Sequence, residues 1–298
     1  MALSEESANL NGLWFIKSSI LLDIMFFSTS NWNLRKELEF IYKKYWEIFL
    51  LVSRIKKFEF GKNFVNLFGK KVFYDSPYGL AGYQSMLARQ QRMFKSVGLK
   101  EAKNIVDVGA NVGFFSMMLR ELYPNSKIYA IEPVPKIFKN LAKNLNSLRD
   151  KVFNVAMSDK CGFVKMRFDE RKSAFSYVIN PKENNKKDLE GQIVTVPSIT
   201  LDKFCSQNNI PFIDILKIDT EGFEANVLRG AKNTLSKTKY LHIEITLEDN
   251  SNYTFSEINS LLYSKDYNFQ LLFYRNFSGK SYGTIAVGEF LYRNLRLN

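Results

Sequence analysis

Cysteine and histidine are almost missing from this chain, with Cys161, Cys205 and His242 the whole complement in 298 residues. Two thiols are too few for a disulfide framework, and one imidazole beside them makes no transition-metal cluster. A cytoplasmic compartment is the expectation that follows, with no metal. Long apolar runs are lacking too. The richest, Leu13 to Phe27, is interrupted by Lys17 and Asp23 and falls short of the roughly 20 residues that cross a bilayer. It shows neither a basic leader nor a small-residue cleavage site, which counts against secretion. No internal repeat is visible.

What is present is apolar bulk. Hydrophobic residues make up 46% and aromatics 15%, enough for a large core, so the charged residues do not signal disorder. The net charge of +12 points toward something anionic, whether nucleic acid, a membrane surface or a phosphorylated substrate. Residues 1–75 are rich in aromatic and basic side chains and read as a helical extension to a main domain over 76–298. Within the extension, Leu38, Ile41, Tyr45, Ile48 and Val52 recur among Arg35, Lys36, Lys43 and Lys44. That spacing gives a basic amphipathic helix over Leu34–Lys57, suited to packing on the main domain or to peripheral docking on anionic lipid.

From Asn104 onward, apolar runs alternate with helical patterns, the mark of an α/β domain with a doubly wound, mostly parallel sheet. Strands are predicted at Ile105–Val108, Lys127–Ile131, Val152–Val155, Ile213–Ile218 and Tyr240–Ile245, and helices at Val112–Leu122, Pro135–Leu148 and Phe223–Leu235. A terminal pair, Tyr267–Tyr274 and Gly283–Tyr292 bridged by Ser278-Gly279-Lys280, brings the sheet to about seven strands. Gly162–Phe168 and Gln192–Val196 read as added strands around a polar surface loop, Asn180–Glu190.

The most informative segment is Asp107-Val108-Gly109-Ala110-Asn111-Val112-Gly113, which joins the first of these strands to the first helix. Gly109 and Gly113 permit a tight turn, and a helix N-terminus behind it offers N–H groups to a carboxylate or phosphate. Glu132 then falls at the tip of the next strand, where an acid can accept ribose hydroxyls. A nucleotide-like ligand is predicted there. A dinucleotide dehydrogenase would show G-x-G-x-x-G; two glycines separated by Ala110-Asn111-Val112 disfavour hydride chemistry.

Through Val106 to Phe115 and Ala130-Ile131-Glu132-Pro133, the chain resembles the FkbM family of methyltransferases. Asn154 to Asp159, Ser198 to Asp202, Leu216 to Glu224 and Val227 to Ala231 extend the likeness over about Ala102 to Ile245. The resemblance implies a class I, Rossmann-like methyltransferase with S-adenosylmethionine as cofactor. It implies that Asp107, Gly109, Asn111 and Gly113 surround the methionine portion, that Glu132 binds the ribose, and that Ser158 and Asp159 approach the adenine. The implied reaction is O-methylation of a sugar, glycan or related polyhydroxylated acceptor.

Ligands gather at the carboxyl edge of such a sheet. Asp219 and Glu221, just past the strand Ile213–Ile218, are therefore the first catalytic candidates, with helix capping as their structural alternative. Glu244 and His242 lie two apart on the next strand and share a face. Any of these could take a proton from an alcohol; the carboxylates also suit a hard cation, although no motif requires one. Tyr83, Arg171, Ser173 and Ser176 are candidate acceptor contacts. An anionic or lipid-linked sugar carrier would reconcile the acceptor class with the net charge. Nucleic acid is disfavoured as acceptor because no base-reading module is present, and a noncatalytic nucleotide-binding scaffold because the cofactor residues are intact.

Overall fold

The computed structural model describes residues 64–67, 70–74, 90–168, 176–179, 191–246, 255–278 and 285–297. The expectations for Leu13–Phe27, Leu34–Lys57, Asn180–Glu190, the bridge at Gly279 and Lys280, and the contacts Tyr83, Arg171 and Ser173 lie outside these residues. In chain order, a hairpin of β1 (Phe64–Leu67) and β2 (Lys70–Phe73) comes first. There follow β3 (Asn104–Val108), α1 (Phe114–Leu122), β4 (Lys127–Ile131), α2 (Pro135–Asn144), β5 (Asp150–Phe153), β6 (Ala156–Met157), β7 (Gly162–Phe168), β8 (Tyr177–Val178) and β9 (Gln192–Ile199). Then come α3 (Leu201–Gln207), β10 (Ile213–Ile218), α4 (Glu224–Arg229), α5 (Lys232–Leu235), β11 (Thr238–Thr246), α6 (Phe255–Leu262), β12 (Phe269–Ser278) and β13 (Ile285–Asn294).

Seven strands form the main sheet in the order β12-β13-β11-β10-β3-β4-β5. β13 runs antiparallel to both its neighbours, while β11, β10, β3, β4 and β5 pair in parallel. The strand order reverses between β3 and β10, the point at which doubly wound sheets bind ligands. A second sheet, β6-β9-β7-β8, accounts for the added strands read from the sequence.

Each face of the main sheet buries its own apolar cluster. Ile105, Ile128, Ala130, Ile215, Tyr240 and Leu291 pack on one face with α1 and α2. Val106, Val108, Tyr129, Ile131, Leu216, Ile218, Leu241 and Ile243 pack on the other with Leu201, Phe204, Val227 and Leu235 of α3, α4 and α5. This alternation makes the parallel strands near-continuous apolar runs, which is why they are legible in the sequence. Val72 and Tyr74, from the first 75 residues, also lie in the α1-side cluster.

Helix boundaries depart from the expectations for local reasons. α2 stops at Asn144 rather than reaching Leu148, because Asn144 is drawn inward: its Nδ2 donates to the carbonyls of Val112 and Phe73, and its Oδ1 accepts from Phe73 N–H. The helix expected over Phe223–Leu235 breaks at Gly230 into α4 and α5. A Cβ at Gly230 would lie 2.1 Å from the Ser158 carbonyl oxygen, so the chain is pinned there. Asp202 then supplies a new start, accepting from Thr234 N–H and Oγ1 and from Asn233 N–H.

Candidate active site

The turn after β3 is a strained cradle. Gly109, Asn111 and Gly113 all take positive φ, 77°, 52° and 92°, and Asn111 Oδ1 accepts from Val112 N–H at 2.7 Å. A Cβ on Gly109 would meet the Asp219 carbonyl oxygen at 1.7 Å, so the turns after β3 and β10 touch backbone to backbone. α1 begins with no side-chain cap and no acid in its first turn, so its N-terminal dipole favours an anionic group there.

Glu132 closes the neighbouring wall. Its Oε2 accepts from Asn111 N–H at 3.1 Å and its Oε1 from Val134 N–H at 2.8 Å. Asn154 Nδ2 donates to the carbonyls of Glu132 and Pro133, 2.9 Å each. A carboxylate has about four lone-pair sites, so a carboxylate fixed in this way still offers acceptors to a diol. Ser158 is buried and donates to the exposed Asp159 at 3.0 Å. An uncapped helix start, a glycine turn and a fixed carboxylate on adjacent strands fit S-adenosylmethionine.

Beneath this cradle lies a buried cation, Lys217, which is not among the candidates named from the sequence. The cross-strand register places Asp107, Lys217 and His242 side by side on β3, β10 and β11. Lys217 Nζ lies 3.1 Å from Asp219 Oδ2 and 3.5 Å from Asp107 Oδ1, and donates to the Gly109 carbonyl at 3.4 Å. It also sits 5.2 Å from the Phe115 ring centroid. Burial alone would lower its pKa, but Asp219 and Asp107 outweigh that and raise it, so the ammonium stays charged. Ser116 Oγ completes the set, donating to Asp107 Oδ2 at 2.6 Å. The visible signal for Lys217 was a charge inside an otherwise apolar parallel strand.

Oxygen atoms of Asp219, Glu221 and Glu244 lie within 4.8 Å of one another. Removal from bulk water, followed by the charges of Asp219 and the other neighbouring acids, pushes Glu221 and Glu244 well above the usual carboxylate range. The trio has the donor type to hold a hard cation, and the Lys217 ammonium already borders it. Neither Asp219 nor Thr220 caps α4. Glu224 holds that turn instead, accepting from Thr220 N–H and Oγ1 and from Gly222 N–H. His242 is buried and stacked on Phe115 with ring centroids 5.5 Å apart. Among the described residues neither ring nitrogen has a hydrogen-bond partner. Burial, then the Lys217 charge, lowers its pKa to about 3. Ser176, the one acceptor candidate within the described residues, is half-buried beside β8.

A seven-stranded sheet with one inserted antiparallel strand, and a glycine turn and strand-tip acid at its switch point, defines a class I methyltransferase fold. Residues 107–271 match the family model described as the methyltransferase FkbM domain. The chain belongs to that family. Among curated relatives, the 2-O-methyltransferase NoeI of Sinorhizobium fredii is 28% identical over 151 residues, 47% of this chain and 62% of that protein. Methyltransferase sdnD of Sordaria araneosa is 30% identical over 156 residues, 42% of this chain and 59% of that protein. The hexuronic acid methyltransferase AglP of Haloferax volcanii is 24% identical over 144 residues, 47% and 54%. The alignments thus span between 54% and 62% of the length of these relatives.

Proposed function

We propose that this chain is an S-adenosylmethionine-dependent O-methyltransferase acting on a hydroxyl of a sugar, glycan or related polyhydroxylated acceptor. The observation that carries the reading is the junction of the Glu132 and Gly109 cradle with the carboxylate trio at one edge of the sheet. Bound there, S-adenosylmethionine would supply an electrophilic methyl group to an acceptor oxygen approaching in line, with S-adenosylhomocysteine as the leaving group.

The chain's residues do the rest. Gly109, Asn111 and Gly113 would hold the methionine end over the buried Asp107, which fixes the turn from below, Glu132 would hold the ribose, and Ser158 with Asp159 the adenine. Positioning alone supplies much of the rate in such a displacement. In this reading Asp219, held by the Lys217 ammonium at 3.1 Å, accepts the acceptor hydroxyl's proton, with Glu244 and Glu221 hydrogen-bonding to the same oxygen or its neighbour. His242, enclosed between aromatic rings, serves packing in this reading. The named activities of NoeI and AglP support a sugar acceptor. Among the described residues no helix is long and apolar enough to cross a membrane.

The test is transfer of label from methyl-labelled cofactor into cell extract resolved into glycan, lipid-linked, nucleic-acid and small-metabolite fractions. Label on oxygen in a glycan or sugar conjugate, lost in Asp219→Asn with cofactor affinity retained, is the expected result. Label confined to nucleic acid would overturn the acceptor class. No label in any fraction, together with no binding of the cofactor, would overturn the activity. Label on a lipid-linked glycan would connect the basic segment Leu34–Lys57 to capture at a membrane surface.

A further inference from the structure

The carboxylate trio does not end at Glu244. In the β11–β13 register Glu244 lies directly opposite Glu289, and in the β12–β13 register Glu289 lies opposite Arg275. Directly opposed residues share a face, so this row continues across the sheet from the cofactor cradle. Gln90, from the helical segment 90–96, comes down onto it, its Nε2 donating to Glu289 Oε1 at 2.8 Å. Gln90 is only 3% exposed, and among the described residues its Oε1 has no hydrogen-bond partner. The amide orientation follows from the chemistry, because an amide oxygen turned toward the Glu289 carboxylate would repel it.

The row is unusual in what it lacks. Like charges directly opposite on neighbouring strands destabilise a sheet, yet Glu244 and Glu289 are so placed, with Asp219 and Glu221 beside them. Burial first, and then the Asp219 charge, raise Glu289 against the opposing pull of Arg275 and Gln90. Among the described residues the cations along the row are Lys217, shared between Asp107 and Asp219, and Arg275. Among these residues, four carboxyl groups and an orphan amide oxygen therefore present acceptors in excess of donors. A buried polar atom without a partner calls for an explanation, and here a ligand that brings hydrogens supplies it.

We infer that Glu244, Glu289 and Gln90 form the acceptor subsite, and that it takes a donor-rich polyol, uncharged or amine-bearing, in preference to one carrying carboxylate or phosphate. The inference rests on the methyltransferase reading for its place beside the cofactor. The chain's excess of positive charge does not extend to this row, so any anionic part of a larger acceptor sits outside it. Glu289 and Gln90 bind the hydroxyls or amine flanking the reacting oxygen, which hangs over Asp219. Each contact is a donor on the ligand meeting an acceptor on the protein.

Calorimetric titrations with a glucosamine trimer, maltotriose and a galacturonic acid trimer, each with and without saturating S-adenosylhomocysteine, test this. The glucosamine trimer should bind at least about tenfold more tightly than the galacturonic acid trimer, the size of one well-placed charge interaction, with maltotriose between. Glu289→Gln should narrow the preference several-fold and Glu289→Asp, which keeps the charge, should retain it; thermal melting of both variants checks folding. Equal or tighter binding of the galacturonic acid trimer, a preference unchanged in Glu289→Gln, or no binding of any trimer would overturn the subsite. Failure of S-adenosylhomocysteine itself to bind would strike the methyltransferase reading instead, separately read in the same titrations.

Discussion

Lys217 and Asp107 face each other across adjacent parallel strands, 3.5 Å apart and both withdrawn from water. The pair lies under the turn expected to bind the cofactor, and Lys217 reaches on to Asp219, the proposed proton acceptor. One ammonium thus fixes both acids. Breaking a buried pair by removing one partner typically costs about 3–5 kcal/mol, because the remaining charge is stranded. Lys217→Met should therefore lower unfolding free energy by about that much in urea titration. In an Asp107→Asn background the same change should cost clearly less. Equal costs in both backgrounds would show that the two residues are not coupled.

Glu132 is held by two backbone N–H groups, so its removal affects both the turn and the ligand. Glu132→Ala should weaken S-adenosylmethionine and S-adenosylhomocysteine about equally, by roughly tenfold or more, since both carry the ribose and charged hydrogen bonds are worth about 1.5–3 kcal/mol. Calorimetry on both ligands decides it. Loss confined to one of them would move Glu132 away from the shared ribose.

Gly109 and Gly98 make a matched pair, with φ of 77° and 70°. A Cβ at Gly109 meets the Asp219 carbonyl oxygen at 1.7 Å, whereas one at Gly98 meets nothing within 4 Å. Gly98→Ala should cost only the backbone strain, about 1–3 kcal/mol. Gly109→Ala should cost more and abolish cofactor binding, because the turns after β3 and β10 must part. Equal unfolding midpoints for the two variants would show that the turns are not in contact.

The readability of the sequence followed the range of the forces involved. β3, β4 and β10 were legible because a strand buried on both faces is an unbroken apolar run, and the glycine turn because its backbone has few alternatives. α2 was read too long because its end is set by Asn144 bonding to Phe73, 71 positions away. α3 was missed although Thr200 caps it by accepting from Lys203 N–H; a helix of 7 residues is too short for a clear period. The clustering of Asp219, Glu221 and Glu244 was reachable by the rule that ligands gather at strand carboxyl ends. Gln90 and Glu289, 199 positions apart, were not, because only the insertion of β13 beside β11 brings them together.

His242 separates a packing role from a catalytic one through pH. Buried neutral, it has a pKa lowered to about 3, against 6.5 for an ordinary histidine. Between those values the unfolded chain binds a proton that the folded chain refuses, so the stability from this residue is full above about pH 6.5 and is lost as pH falls toward 3. The raised carboxyls of Glu221, Glu244 and Glu289 work in the opposite direction: their folded forms hold protons longer, so acidification favours the native state until the unfolded acids also protonate. Comparison with His242→Leu cancels those groups and leaves the histidine. The stability of the wild type relative to the variant should fall by roughly 2 kcal/mol between pH 7 and pH 4.5, measured by urea unfolding at each pH. A flat difference would mean that the ring gains a proton or a water within the fold. It would then have a path to the acceptor and return as a candidate base beside Asp219. The expected slope leaves it with no proton to exchange at neutral pH, and proton removal with the carboxylates.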